Sequence, residues 1–194
     1  NPIILGITTD TLNCWDDTTA VITLNIFGFT PPYEVTLNDL TAGTSLGPLT
    51  VLSAGISTPF PSQSAGSYSV ILDDSFNCGP EIQSFNIISP DTLTSDSTTV
   101  TQITCYDEDD GQISLVVNGG TVGTYTYEWF DAVTGLPIVP ANTSNPTGNV
   151  LPPGQYYAVI TDIMGCQINS ETTTLTNPLM LSATVEDSGQ IHCN

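Results

Sequence analysis

The chain repeats itself, and that repetition limits its fold more than any other feature of the sequence. Cys14-Trp15-Asp16-Asp17 returns as Cys105-Tyr106-Asp107, an offset of 91 residues. Ala65-Gly66-Ser67-Tyr68 returns as Pro153-Gly154-Gln155-Tyr156, and Asp74…Asn77-Cys78 as Asp162…Gly165-Cys166, each offset by 88. Cys193 lies 88 residues after Cys105, and Asn177-Pro178 repeats Asn1-Pro2. A fixed period of this length makes each repeat about a small domain. The expected organisation is a first repeat over 1–89, a second over 90–178 and the start of a third over 179–194. The same pattern reads as a piece of a longer polypeptide whose targeting signals lie elsewhere, since no signal peptide or membrane span is visible.

Charge narrows the partners. There is no Lys or Arg against 20 Asp and Glu, a formal charge of −20. Phosphate neutralisation needs cations, so nucleic acid is excluded as a direct partner, and anionic membranes are disfavoured. No segment is expected to insert into a membrane. Acidity does not mean disorder here, because hydrophobic residues make up 39% of the chain and they alternate.

That alternation has strand period. Ile22, Leu24 and Ile26 form one run, Tyr33, Val35 and Leu37 the next, and Tyr68, Val70 and Leu72 a third. In the second repeat Ile113, Leu115 and Val117 precede Gly119-Gly120, followed by Tyr125, Tyr127 and Trp129 and then Tyr156, Ala158 and Ile160. Residues 38–63 are rich in Gly, Ser, Thr and Pro and read as short edge strands and loops. Phe85, Ile87 and Ile88 read as the closing strand of the first repeat, and Leu175 lies in that of the second. No helical period is sustained. Short alternating strands separated by Gly and Pro turns predict an all-β chain of tandem β-sandwiches. An early cysteine, a central Trp and a late cysteine point to an immunoglobulin-like arrangement, with Leu37 standing in the first repeat where the second has Trp129. The Pro-containing junctions at Ser89-Pro90-Asp91 and Asn177-Pro178 predict a semi-rigid rod.

Five cysteines occupy equivalent sites of the repeats. The simplest connectivity is one bridge per repeat, Cys14–Cys78 and Cys105–Cys166, with Cys193 awaiting a partner beyond residue 194. Paired cysteines imply an oxidising compartment outside the cell. A metal reading of the cysteines fails on spacing, because there is no Cys-x-x-Cys and the one histidine is His192.

These residues carry a resemblance. Cys105, Asp110-Gly111-Gln112-Ile113, Gly119-Gly120-Thr121, Tyr125, Tyr127, Trp129, Gly154, Tyr156, Thr161-Asp162 and Gly165-Cys166 together resemble the SprB repeat. The first repeat follows the pattern more loosely, with Ala20, Gly28-Phe29 and Asn77 at positions where the motif has glycines. The resemblance implies tandem modules of giant surface adhesins of gliding and other Bacteroidota. It implies extracellular filaments exported by the type IX system, a role in adhesion or gliding, and no catalytic residues. The expected location is the bacterial cell surface, and the expected partners are neighbouring repeats, other copies in a filament, and surface glycans. In that phylum Asp followed by Thr and an apolar residue marks O-glycosylation, which Thr11 (Asp10-Thr11-Leu12) and Thr92 (Asp91-Thr92-Leu93) fit. Asn142-Thr143-Ser144 fits the N-glycosylation sequon, which carries little weight in a bacterial protein.

Catalysis has little to stand on. With one histidine and no Lys or Arg, neither a nucleophile–base pair in each repeat nor an anion-binding residue is available. A carboxylate pair for glycoside hydrolysis is weighed against carboxylates that only solvate a surface, which are far commoner. Trp15 and Tyr106, each following a first cysteine, would cover a disulfide or stack on sugars. Asp91, Asp107, Glu108, Asp109, Asp110 and Asp162 form an acidic set expected near the junction of repeats. They either hold Ca²⁺ through hard oxygen ligands or hydrogen-bond their own turns. Two function classes follow: a structural spacer and adhesion surface of a giant extracellular adhesin or filament, or carbohydrate-binding β-sandwich modules of a secreted protein.

Overall fold

The computed structural model describes residues 4–28, 30–74, 76, 80–139, 142–147 and 151–184. Among them are thirteen β-strands and no helix. They fall into two compact units. The first takes the residues up to Thr94 together with Asn118–Thr124 and Asp162–Cys166, and the second takes Ser95–Val117, Tyr125–Thr161 and those from Gln167 onward.

The first unit is a sandwich of two antiparallel sheets. One holds β1 (Ile4–Thr9), β2 (Ala20–Phe27) and β5 (Gly55–Gln63) in the order β1-β2-β5. The other holds β3 (Tyr33–Asp39), β4 (Thr44–Val51), β6 (Gly66–Asp74) and β7 (Glu81–Ile87) in the order β4-β3-β6-β7. Three strands facing four in this order is the immunoglobulin-like arrangement. The alternating residues fill the space between the sheets: Ile22, Leu24 and Ile26 from β2, Tyr33, Val35 and Leu37 from β3, and Tyr68, Val70 and Leu72 from β6 are all buried in one cluster with Phe60 and Ile87. Full burial of one such side chain stabilises the fold by about 1.5–3 kcal/mol.

The stretch 38–63 departs from expectation. Instead of short pieces it forms β4 and β5, eight and nine residues long. All of β4 except Val51 is exposed, so no alternation of apolar residues announces it. Backbone pairing with β3 makes the strand, from Tyr33 opposite Val51 to Asp39 opposite Thr44, with a bulge between the partners of Val35 and Leu37. Gly47 sits at that bulge with φ +116°, and a Cβ there would lie 2.7 Å from the carbonyl oxygen of Val35. Only glycine fits this approach.

The second unit repeats the plan with different local solutions. β8 (Asp91–Thr101) pairs with β9 (Gln112–Gly120), each strand beginning or ending in the first unit. β10 (Thr126–Asp131) pairs with β11 (Gly154–Thr161), whose other edge carries β12 (Gln167–Asn169) and β13 (Thr173–Leu175). Between those two short strands Ser170 donates its backbone N–H to Ala158 O (2.8 Å), while its hydroxyl accepts from Ala158 N (2.9 Å). Where the first unit places β5 beside β2, the second sets Asn145, Thr147 and Leu151 beside the chain from Gly111 to Leu115. There Asn145 imitates a peptide group, its Oδ1 accepting from Leu115 N and its Nδ2 donating to Leu115 O, both at 2.8 Å. Trp129 lies opposite Ala158 as Leu37 lies opposite Val70, so the two occupy one position of the plan.

Both units carry a tyrosine corner, the device that locks the strand entering the sixth position of such sandwiches to the chain just upstream. Tyr68 Oη donates to Ser64 O (2.9 Å) and Tyr156 Oη to Pro152 O (3.0 Å). Tyr156→Phe removes the donor and leaves the ring. It should lower the unfolding free energy by about 1 kcal/mol, measurable by urea titration; an unchanged midpoint would deny the corner any role in stability.

Candidate functional site

The chemistry of this chain concentrates in two kinds of loop, one carrying each repeat's first cysteine and one carrying its second. In the first kind, Cys14 follows β1 and its carbonyl accepts the N–H of Asp17 (3.2 Å). Asp17 Oδ2 in turn accepts from Asn13 N (3.1 Å) and Cys14 N (3.0 Å). Cys105 is held the same way, its carbonyl accepting from Glu108 N at 3.2 Å. Here Asp110 takes the capping role, accepting from the backbone N–H (3.0 Å) and the hydroxyl of Thr104. The Thr104 hydroxyl, then its N–H, hold the Asp110 carboxyl below the usual carboxylate range.

The second kind is a tight turn built on a buried aspartate. Asp162 Oδ1 accepts from Met164 N and Cys166 N (both 2.9 Å), and Oδ2 from Thr121 N (2.8 Å). Burial pushes the Asp162 carboxyl up, but the N–H donors of Thr121, Cys166, Met164 and Gly165 together outweigh it and hold it below its ordinary value. Asp74 begins the equivalent turn, is also buried, and accepts from Phe76 N at 3.0 Å. A carboxyl depressed in the folded state contributes stability that is present above its unfolded value and lost as pH falls through the folded one. Asp162→Asn should therefore lower stability near neutral pH by about 1–3 kcal/mol and flatten the loss of stability below pH of about 4. Acid titration of the unfolding midpoint reads both, and parallel curves for the two proteins would contradict this account.

One disulfide joins the two kinds of loop, and it corrects the sequence reading. Cys14 is bonded to Cys166, with Cα atoms 5.6 Å apart and a sequence separation of 152. Cys14 is therefore not paired with Cys78, and Cys166 is not paired with Cys105. Cys105 is a free, exposed thiol. Cys78, His192 and Cys193 lie outside the described residues. The cause of the error is positional. In immunoglobulin domains the bridged cysteines face the core from within strands, whereas here the corresponding strands fill the core with Ile22, Leu24, Val70 and Leu72. Cys14 precedes β2 and Cys166 follows β11, so the bond staples loops of successive repeats rather than the two sheets of one.

The six acidic candidates divide between the units: Asp91 and Asp162 belong to the first, Asp107 to Asp110 to the second. Asp107, Glu108 and Asp109 are exposed. Asp107 pairs with Asn177, its N–H donating to Oδ1 and its Oδ1 accepting from Nδ2, both at 3.1 Å. Among the described residues no group of three or more Asp, Glu, His or Cys side chains is arranged to hold a metal ion. Asp110 spends its oxygens on Thr104 and Asp162 on Thr121, Met164 and Cys166, so thermal unfolding in Ca²⁺ and in chelator should give the same midpoint. A rise of several degrees with Ca²⁺ would instead place an ion on these carboxylates. Thr11 and Thr92 are exposed, as O-glycosylation requires. Trp129 and Tyr156 are buried, whereas Trp15 is half-buried and Tyr106 is exposed. A cleft of about 460 Å³ between residues 50–53 and 56–59 has no charged lining residue and so no general acid or base.

The Cys105 turn falls on a known sequence pattern. Residues 97–134 match the family model of the SprB repeat. The chain carries an SprB repeat. The SprB match takes in Cys105, Asp110-Gly111, Gly119-Gly120-Thr121, Tyr125, Tyr127 and Trp129, all within the second repeat. The pair Gly119-Gly120 has a steric reason: φ is +76° and +64°, and a Cβ on Gly119 would lie 1.8 Å from Thr92 O. No curated protein matches the chain. Among solved structures it is similar to the three N-terminal domains of the outer capsid protein Hoc of bacteriophage RB49, at 15% identity and TM-score 0.45, over 90% of this chain and 59% of that one. It is similar to titin I-band domains I67–I69 at 13% identity and TM-score 0.47, over 90% of this chain and 65% of that one. It is also similar to a two-domain fibronectin type III segment of chicken tenascin at 13% identity and TM-score 0.34, over 88% and 95%. The chain thus spans less than two thirds of the first two structures. SprB repeats are found in repeat-containing cell-surface proteins.

Proposed function

We propose that this chain is a repeat segment of a giant extracellular adhesin or surface filament, serving as structural spacer and adhesion surface in attachment and gliding. The observation that carries the reading is an SprB repeat set in a tandem of sandwiches whose cysteine loops are stapled from one repeat to the next. A disulfide fits a location outside the cell, where such bonds persist. A surface with no Lys or Arg keeps its fixed negative charge and repels like copies except where specific contacts form. The partners proposed are further repeats, other filament copies and surface glycans, with O-glycans on Thr11 and Thr92. Antibodies raised against residues 1–178 should label intact cells, and deleting the repeats while keeping the secretion and anchoring regions should cut attachment or gliding at least tenfold. Unchanged attachment and gliding, together with saturable binding of the segment to defined sugars on a glycan array, would put the carbohydrate-binding reading in its place.

A further inference from the structure

Cys105 and Leu181 are the counterparts, one repeat on, of two residues whose surroundings are complete. Cys14 is bonded to Cys166, while Cys105, held in the same turn, is free and exposed. Leu93 is 2% exposed, packed where a Cβ on Gly120 would meet it at 3.2 Å, beside the Asp162 turn. Leu181, 88 residues later, is 98% exposed. A cysteine of the first repeat, Cys14, and the leucine that opens the second, Leu93, are therefore satisfied, one covalently and one by packing, by the Asp162–Cys166 turn and the Gly-Gly-Thr segment of the second repeat. Their counterparts, Cys105 of the second repeat and Leu181 at the opening of the third, are unsatisfied. They lie together, since Cys105, Thr104 and Tyr106 line a cleft of about 230 Å³ with Pro178, Leu179 and Leu181.

We propose that this cleft is the docking site for the Asp-x-x-Gly-Cys turn of a following repeat, and that Cys105 forms a disulfide with that turn's cysteine. Successive repeats are then linked from first cysteine to the next repeat's second cysteine, a covalent ladder along the chain. The inference goes beyond the adhesin reading and holds whatever the repeats bind. The chemistry is thiol–disulfide exchange with an oxidised dithiol oxidoreductase. The Cys105 thiolate attacks one sulfur of the oxidant's disulfide and releases one oxidant thiol. The incoming cysteine's thiolate then attacks the Cys105 sulfur and releases the second. Two protons and two electrons pass to the oxidant, which leaves as a dithiol. Docking precedes bonding: burying Leu181 holds the incoming turn in place, as Leu93 is buried against Gly120 beside the Asp162 turn that ends at Cys166.

The test is an extended chain in which residues 91–178 are repeated after Pro178. The appended copy carries Ser at its first cysteine and Val at its counterpart of Ile163, so that its turn peptide has its own mass. After oxidation, alkylation and non-reducing digestion at acidic residues (trypsin has no site here), Cys105 should be found joined to the appended turn and Cys14 to Cys166. Native alkylation of Cys105 should be at least 100-fold slower than in the 194-residue chain. Leu181→Asp should cut the bonded fraction of Cys105 severalfold while leaving Cys14–Cys166 complete, which shows that the protein is still folded. Cys105 recovered alkylated, or joined to Cys78, to Cys166 or to a second molecule, would overturn the proposal.

Discussion

Cys14→Ser should lower the unfolding free energy of the first unit by about 5 kcal/mol, a fall in midpoint on the order of 20 °C. The bond closes a loop of sequence separation 152, so it removes more unfolded-state freedom than any bridge inside one repeat would. Cys14 is half-buried and Cys166 is buried, while the sandwich core is filled by other residues. Cys166→Ser should reproduce the effect in full, and the double variant should be no worse than either single one, as a two-member interaction requires. Cys105→Ser removes an exposed free thiol and should change stability by no more than about 0.5 kcal/mol. Calorimetry on the four proteins decides. A large loss on Cys105→Ser, or a negligible loss on either Cys14→Ser or Cys166→Ser, would refute the connectivity.

That bond marks the boundary of what the sequence discloses. Repeat equivalence makes Cys14 like Cys105 and Cys78 like Cys166, but a period says nothing about whether partners belong to one repeat or to neighbours. Pairing within repeats and pairing from each repeat to the next leave identical spacings. The difference lies in which loops meet, and those contacts depend on long-range bonds such as that from the Thr121 backbone N–H to the Asp162 carboxylate, 41 residues apart. By contrast the half-buried strands were legible. Ile22, Leu24 and Ile26 alternate in sequence because one face of β2 meets the core. β4 was illegible for the converse reason: its side chains face solvent and only its backbone is committed. The acidic loops were half legible. Asp-x-x-Gly is a turn signal, and the structure spends Asp162 on that turn, with Thr121 from across the chain as an added donor. The tyrosine corners had a signal that went unused, a Gly-x-Tyr in both repeats at the head of an alternating strand.

The second large effect is expected from Trp129→Ala, about 3–5 kcal/mol in the second unit. Trp129 is 1% exposed and packs in a cluster with Ile113, Leu115, Leu151, Tyr156, Ala158 and Ile160. Its indole N–H donates to Ser144 O at 3.0 Å, so truncation strands a carbonyl as well as opening a cavity. The cavity will not collapse easily, because Ala158 opposite is already small and β10 is pinned on both sides. Its partners are β11 on one edge and, on the other, Leu136, Ile138 and Asn142, through Asp131 N to Leu136 O, Ile138 N to Trp129 O and Trp129 N to Asn142 O. Trp129→Phe keeps most of the packing and should cost less than half as much. The chain has two tryptophans, so Trp15 remains in Trp129→Ala as a fluorescence probe of the first unit. Circular dichroism should show the second unit's transition falling to much lower urea while the Trp15 transition moves far less, since Leu37 fills the equivalent position of the first unit independently. A loss under 1 kcal/mol would mean that the indole is not a core group, and an equal shift of the Trp15 transition would mean that the two cores do not unfold as separate units.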